Sequence, residues 1–183
     1  MLLNIIGLSG LLLFTAAGAQ EMQTGEFVRV KAKTFDKEKF MFPDDVRGTR
    51  LNVFFLPMGG DRENGQAQQT ALIAWHEALA GRGVFSDEIM PYHFSVLAGV
   101  PFFVKGIIMN AMRDIYEGTV PLNQAGVLFI KDLDAFADAA GLTLDEQPTI
   151  VIATSDAKPL KSFKGQVSAQ GVDEIVAAIA QLK

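Results

Sequence analysis

Apolar strands alternating with amphipathic helices predict an α/β chain built as a three-layer sandwich, a central mixed sheet with helices on both faces. Three observations carry this. Leu51-Asn52-Val53-Phe54-Phe55-Leu56 and Gly126-Val127-Leu128-Phe129-Ile130 are apolar on both faces, as strands covered on each side must be. Stretches with helical apolar spacing stand between them. A closing hairpin, 149–153 and 160–163 around Ser155-Asp156-Ala157-Lys158, adds antiparallel strands and makes the sheet mixed. With 183 residues and 49% hydrophobic side chains, one domain with a substantial core is expected. No internal repeat, low-complexity tract or second-domain boundary is visible.

Taken in order, 26–35 alternates Val28, Val30 and Ala32 against Arg29, Lys31 and Lys33, the pattern of a half-exposed strand. Asp36-Lys37-Glu38-Lys39 turns it, and Phe40-Met41-Phe42 returns as a short strand. Residues 43–48 are turn-rich. The strand 51–56 runs into a loop, 57–65, with three glycines. A helix over 66–80 carries Leu72, Trp75 and Leu79 on one stripe and stops at Gly81 and Gly83. A strand over 92–97 leads to a helix over 101–117, with proline in its first turn. After the strand 126–130, Asp132 caps a short helix, 133–140, closed by Gly141. Following the hairpin, Ser168 caps a last helix with Val172, Ile175, Val176, Ile179 and Leu182 on one face.

Residues 1–19 carry no charged side chain, so the net charge of −5 belongs to the rest. Their apolar run ends in Ala17-Gly18-Ala19, which matches a hydrophobic segment followed by a small-x-small cleavage site. We read 1–19 as a cleaved signal peptide and 20–183 as the domain. The mature start then falls near Gln20 and the location is periplasmic or secreted. An uncleaved membrane anchor is the alternative, because no basic side chain precedes the apolar run. Residues 20–25 read as a polar leader.

The chemistry open to the chain is narrow. An acidic chain with a pI near 5.0 is not built to neutralise phosphates, so no nucleic-acid partner is expected. The absence of cysteine removes disulfides, thiolate metal sites and thiol nucleophiles. His76 and His93 are the only histidines, and no ligand spacing surrounds them; no metal or cofactor is expected. Asp61-Arg62-Glu63-Asn64-Gly65 lacks the alternating acids of a calcium loop. Gly59-Gly60 is followed by acids rather than by a phosphate-binding Gly-Lys-Ser/Thr. No Gly-x-Ser-x-Gly elbow occurs beyond residue 19. Asp44-Asp45 sits on a turn whose neighbours point apart, which favours a solubilising role. The helix 101–117 has more apolar residues than a single buried stripe of about 100° can hold. Two explanations stand: it is covered on two faces, or it presents an apolar surface to a partner or a membrane, where Arg113 is either an anchor or engaged in ordinary ion pairing.

This order of elements, with Gln147-Pro148-Thr149-Ile150-Val151-Ile152 before the hairpin and Lys164-Gly165 before the last helix, is similar to the thioredoxin superfamily. Phe42-Pro43-Asp44-Asp45-Val46-Arg47-Gly48-Thr49-Arg50 resembles the peroxiredoxin-like approach to the first central strand. The likeness spans roughly 26–183 and implies a thioredoxin-like sandwich with a cis bond before Pro148. Where a redox-active member carries its cysteines, this chain has Pro57-Met58-Gly59-Gly60-Asp61-Arg62-Glu63. Thiol oxidoreductase and thiol peroxidase activity are therefore excluded. The chain resembles cysteine-less periplasmic thioredoxin-like proteins of unknown role. Through Phe102-Phe103-Val104-Lys105-Gly106 and Met112-Arg113 it is more distantly similar to mitochondrial ATP synthase assembly factors.

The expected function is an exported, non-catalytic binding or assembly protein. Its partner would be another protein or peptide, or a membrane-associated complex. The expected partner surface comprises Gly60, Asp61, Arg62, Glu63, Phe103, Arg113, Gln147 and Pro148, with no catalytic residue. The alternative is an enzyme using non-thiol acid–base chemistry in the same cleft, through His93, Asp61 and Glu63. It requires those groups to converge in a pocket.

Overall fold

In the computed structural model of the chain, residues 19–21, 25–46, 48 and 50–182 are described. The expected signal segment lies outside them, apart from Ala19. The strands are β1 (Ala19–Glu21), β2 (Val30–Thr34), β3 (Lys39–Phe42), β4 (Leu51–Leu56), β5 (Ile89–Ala98), β6 (Ala125–Ile130), β7 (Thr149–Thr154) and β8 (Pro159–Lys164). The helices are α1 (Arg62–Gly81), α2 (Lys105–Tyr116), α3 (Leu133–Ala139) and α4 (Ala169–Gln181). One eight-stranded sheet runs β1-β8-β7-β4-β5-β6-β2-β3. β4, β5 and β6 are parallel, and the remaining pairs are antiparallel.

All six residues of β4 are buried, because alternate side chains enter two different cores. Leu51, Val53 and Phe55 join Leu72, Trp75 and Leu79 of α1 and Val172, Ile175 and Ile179 of α4. Phe54 and Leu56 face the other way, into a cluster with Phe42, Phe94 and Phe136 of α3. Around Phe42 these rings pack edge-on or tilted, with Phe27 centred 5.1 Å away, as aromatic quadrupoles prefer. A third cluster seats Tyr116, Met109 and Met112 of α2 on Val127, Leu97 and Phe129. Helices therefore cover both faces: α1, α2 and α4 on one, α3 on the other. Asn52 is the one polar residue of β4, and its side chain is satisfied. It accepts from the Gly48 amide at 2.6 Å and donates to the Thr154 carbonyl at 2.8 Å.

Several boundaries differ from the sequence reading. The ladder of β2 begins at Val30, not Glu26. Residues 26–29 leave the sheet, because the Glu26 amide bonds the Ala139 carbonyl and Phe27 turns into the aromatic cluster. α1 starts at Arg62 rather than Gln66, since Asp61 caps it by accepting from the Asn64 amide at 2.9 Å. That cap carries the helix through Gly65. The expected helix at 101 instead opens with a 3-10 turn, Phe102–Val104. β5 begins at Ile89 and contains Pro91, which lies before the β6 ladder starts at His93. Ala19, expected to end the signal segment, and Gln20 and Glu21, expected to begin a polar leader, pair with β8 at the sheet edge. The cis bond lies at Phe42-Pro43, whereas the bond before Pro148, which the resemblance implied to be cis, is trans.

Candidate functional site

The ends of β4 and β5 and the start of β7 meet at one end of the sheet, where Leu56 pairs with Thr149. Just beyond, the Val96 amide donates to the Pro57 carbonyl at 3.0 Å. From there the chain turns into α1 through a loop fastened by side-chain amides. The Met58 amide donates to Gln68 Oε1 at 2.8 Å, and Gln68 Nε2 donates to Asn64 Oδ1 at 2.7 Å. Asn64 Nδ2 then reaches the Glu146 carbonyl at 3.1 Å. This relay joins the loop, the first turns of α1 and the segment ahead of Pro148. The space inside is closed. A Cβ on Gly59 would lie 2.4 Å from the Gly65 amide nitrogen, so only glycine fits.

Around this joint, Gly60, Asp61, Arg62, Glu63 and Gln147 are exposed, while Pro148 is buried beneath them. Asp61 at the cap and Glu63 in the first turn also match the positive end of the helix dipole. The turn bearing Phe103 follows the end of β5, at the same end of the sheet. Arg113 does not join this group. It sits in the last turn of α2, about 12 Å along the axis from Lys105 at 1.5 Å per residue, and pairs with Glu117 at 3.5 Å. Phe102, Phe103 and Ile107 are exposed, which resolves the two explanations of this helix in favour of an open apolar face.

The histidines form a site that linear spacing did not reveal. His93 Nε2 and His76 Nδ1 are 3.1 Å apart, joined by one hydrogen bond between α1 and β5. The His93 ring stacks on Phe55 at 4.3 Å. Burial pushes His93 well below the ordinary histidine range, and the neighbouring His76 pushes the same way. Burial also lowers His76, against the pull of Glu77. Burial raises the Tyr116 hydroxyl to about 12, although Ser95 and Gln69 beside it act in the opposite direction. Even so, Tyr116 Oη, Ser95 Oγ, Gln69 Nε2 and His93 Nδ1 complete no hydrogen bond of regular geometry among the described residues.

The acid–base alternative required His93, Asp61 and Glu63 to converge, and they do not. His76, the partner of His93, lies 13 residues beyond Glu63 on α1, about 20 Å along the helix axis. His93 is also fully buried, whereas both acids face solvent. Among the described residues, no three histidine, aspartate or glutamate side chains gather as metal ligands. No described helix is long and apolar enough to cross a membrane.

A separate groove lies between α2 and the β2–β3 hairpin, with a volume of about 710 Å3. Lys31, Lys33, Lys39 and Lys105 rim it, and Phe129, Met109 and Met41 contribute apolar walls.

No family profile matches the chain, and no curated protein matches its sequence. Solved structures do match in shape. A putative electron transfer protein from Aquifex aeolicus VF5 superposes with a TM-score of 0.59 at 11% identity, covering 88% of this chain and 98% of that one. BsSco, a member of the Sco family of cytochrome c oxidase assembly proteins, gives 0.55 at 9% identity, over 89% and 96%. A secreted thiol-disulfide isomerase from Corynebacterium glutamicum gives 0.52 at 11%, over 89% and 92%. Together with the sheet order, the capped α1 after the first central strand and the closing hairpin and helix, these matches establish that the chain has a thioredoxin-like fold.

Proposed function

We propose that this chain is an exported, non-redox thioredoxin-like protein that acts as a binding or assembly factor for another protein or peptide. The observation that carries the reading is the amide relay from Met58 through Gln68 and Asn64 to Glu146. It occupies the position where the fold otherwise places thiols, and the groups that form it are amides and a backbone carbonyl. The relay holds Gly60, Asp61, Arg62, Glu63 and Gln147 as a fixed polar surface with Pro148 beneath it and Phe103 at the same end of the sheet. Such a surface suits recognition, because its geometry is set before a partner arrives. The Sco neighbour belongs to a family of assembly proteins, which gives the fold a precedent in that role. The apolar run ending in Ala17-Gly18-Ala19 and the secreted neighbour support export, with residues 1–19 removed.

The test is crosslinking in the native host, followed by capture of a C-terminally tagged chain and mass spectrometry. A dominant protein partner is expected, and it should be lost when Arg62→Glu and Glu63→Arg are combined with the urea midpoint unchanged. Unchanged association in that double variant overturns the assigned surface. Intact mass of the captured chain checks processing: loss of residues 1–19 is expected, and a retained leader refutes cleavage.

A further inference from the structure

We infer that the groove between α2 and the β2–β3 hairpin, with the apolar ridge beside it, is a docking surface for an anionic lipid bilayer. Phe102, Phe103 and Ile107 are 89%, 80% and 69% exposed, although they are large apolar side chains on consecutive turns. Such residues seldom gather on a free surface without a partner. Beside them, Lys31, Lys33, Lys39 and Lys105 surround the groove, with Asp45 the one acid on its rim. Lys33 stands directly opposite Lys39 across the antiparallel pair, a juxtaposition that costs stability unless an anion offsets it. Among the described residues none of the four lysines pairs with a carboxylate. Lys105 instead lies 4.9 Å over the Phe129 ring. In a chain of net charge −5, this local excess of cations runs against the average and is complementary to a negative surface.

The occupant follows from the shape. A peptide adding a strand to β3 is disfavoured, because the Met41 amide already donates to Asp45 Oδ2 at 2.7 Å and its carbonyl accepts from the Asp45 amide at 2.8 Å. A small amphiphile inside the groove would leave Phe103 and Ile107 in water, since neither lines it. A bilayer accommodates all of these features. The ridge enters the acyl boundary, and the lysines remain at the level of anionic headgroups. The inference extends the binding reading above without resting on it, since lipid association and protein capture are separate readouts.

The experiment is vesicle co-sedimentation of the full chain, with phosphatidylcholine alone or with one third phosphatidylglycerol, at low and high salt. The leader carries no charged side chain, so its α-amino group is the one charge through which it could respond to lipid charge or salt, and the two pairs of substitutions leave that group unchanged. Tighter association with the anionic vesicles is expected, lost at high salt. Phe102→Ala with Phe103→Ala, and separately Lys31→Glu with Lys39→Glu, should each weaken it by roughly tenfold or more. Trp75 is buried and is the chain's only tryptophan, so its emission verifies that each variant is folded. Equal binding to neutral and anionic vesicles, no binding to either, or indifference to both pairs of substitutions overturns the inference. So does a photoreactive group at position 107, outside the surface assigned to a protein partner, that crosslinks to a protein or a second copy of the chain instead of to lipid.

Discussion

Acid should unfold this protein through its histidines. Only His76 and His93 have side chains whose ordinary titration falls between pH 7 and pH 5, so that window isolates them. In the unfolded chain both take up protons near pH 6.5. In the folded chain His93 resists protonation, because burial and His76 hold its pKa well below that range. Its folded pKa lies under its unfolded one, so the unfolded state binds more protons and stability falls as the pH drops below about 6.5. If His93 stays neutral throughout, this linkage removes about 2 kcal/mol between pH 7 and pH 5. His76, lowered as well, adds to the loss. Urea unfolding followed by Trp75 fluorescence at pH 7, 6 and 5 measures it. His93→Gln should flatten the pH dependence even if its stability at pH 7 is lower. Should that variant not fold, the His93 ring-proton resonance of the parent chain still decides the matter by failing to titrate down to pH 5. A urea midpoint equal at pH 7 and pH 5, or an undiminished slope in folded His93→Gln, refutes the reasoning.

Three further outcomes follow from the packing. Tyr116→Phe should preserve the fold and lower stability by about 1 kcal/mol, since Ser95 and Gln69 would lose the buried hydroxyl beside them; paired urea melts decide the sign. Phe42→Ala should cost about 3–5 kcal/mol, because Phe42 contacts Phe27, Phe54, Phe94 and Phe136 and is fully buried; a thermal melt close to that of the parent chain would contradict the cluster. Gly59→Ala should displace the loop from the first turn of α1, since its Cβ meets backbone at 2.4 Å; faster amide exchange at Met58 and Gly65 is the expected signature.

Much of the fold is legible because local rules agree with the tertiary result. Asp132 and Ser168 cap their helices as expected, each accepting from the amide three residues on. The double-sided apolarity of 51–56 correctly marks a strand between two cores. Where local rules compete, the reading slips. Gly65 argues against a helix, but the Asp61 cap outweighs the roughly 1 kcal/mol that glycine costs. Alternation in 26–35 suggests one strand, yet Phe27 gains more by leaving the sheet for the aromatic cluster. The chemistry is less legible than the fold. Gln69 and His76 lie seven apart on α1, and His93 and Ser95 two apart on β5, so each pair shares a face. Nothing in the linear order shows that these two faces meet. Likewise, Lys31, Lys33 and Lys39 read as the wet side of a hairpin, and only the position of α2 makes them the rim of a groove.

The loop joint also governs how the chain ages. Asn64-Gly65 is the dipeptide that deamidates most readily in a flexible chain, through attack of the glycine nitrogen on the asparagine side chain. Here the Gly65 amide is held by the Asp61 carbonyl at 3.0 Å, and both ends of the Asn64 amide are engaged by Gln68 and Glu146. Helix capping therefore acts as chemical protection as well as a stabilising contact. If the cap opens, the attack becomes available. Ammonia leaves and water opens the cyclic imide. The aspartate or isoaspartate that results has a carboxylate or a rerouted backbone where Asn64 now donates to the Glu146 carbonyl. Damage at this one side chain would separate the loop from the Pro148 segment irreversibly, so the lifetime of the surface is set by how seldom the first turn of α1 unwinds.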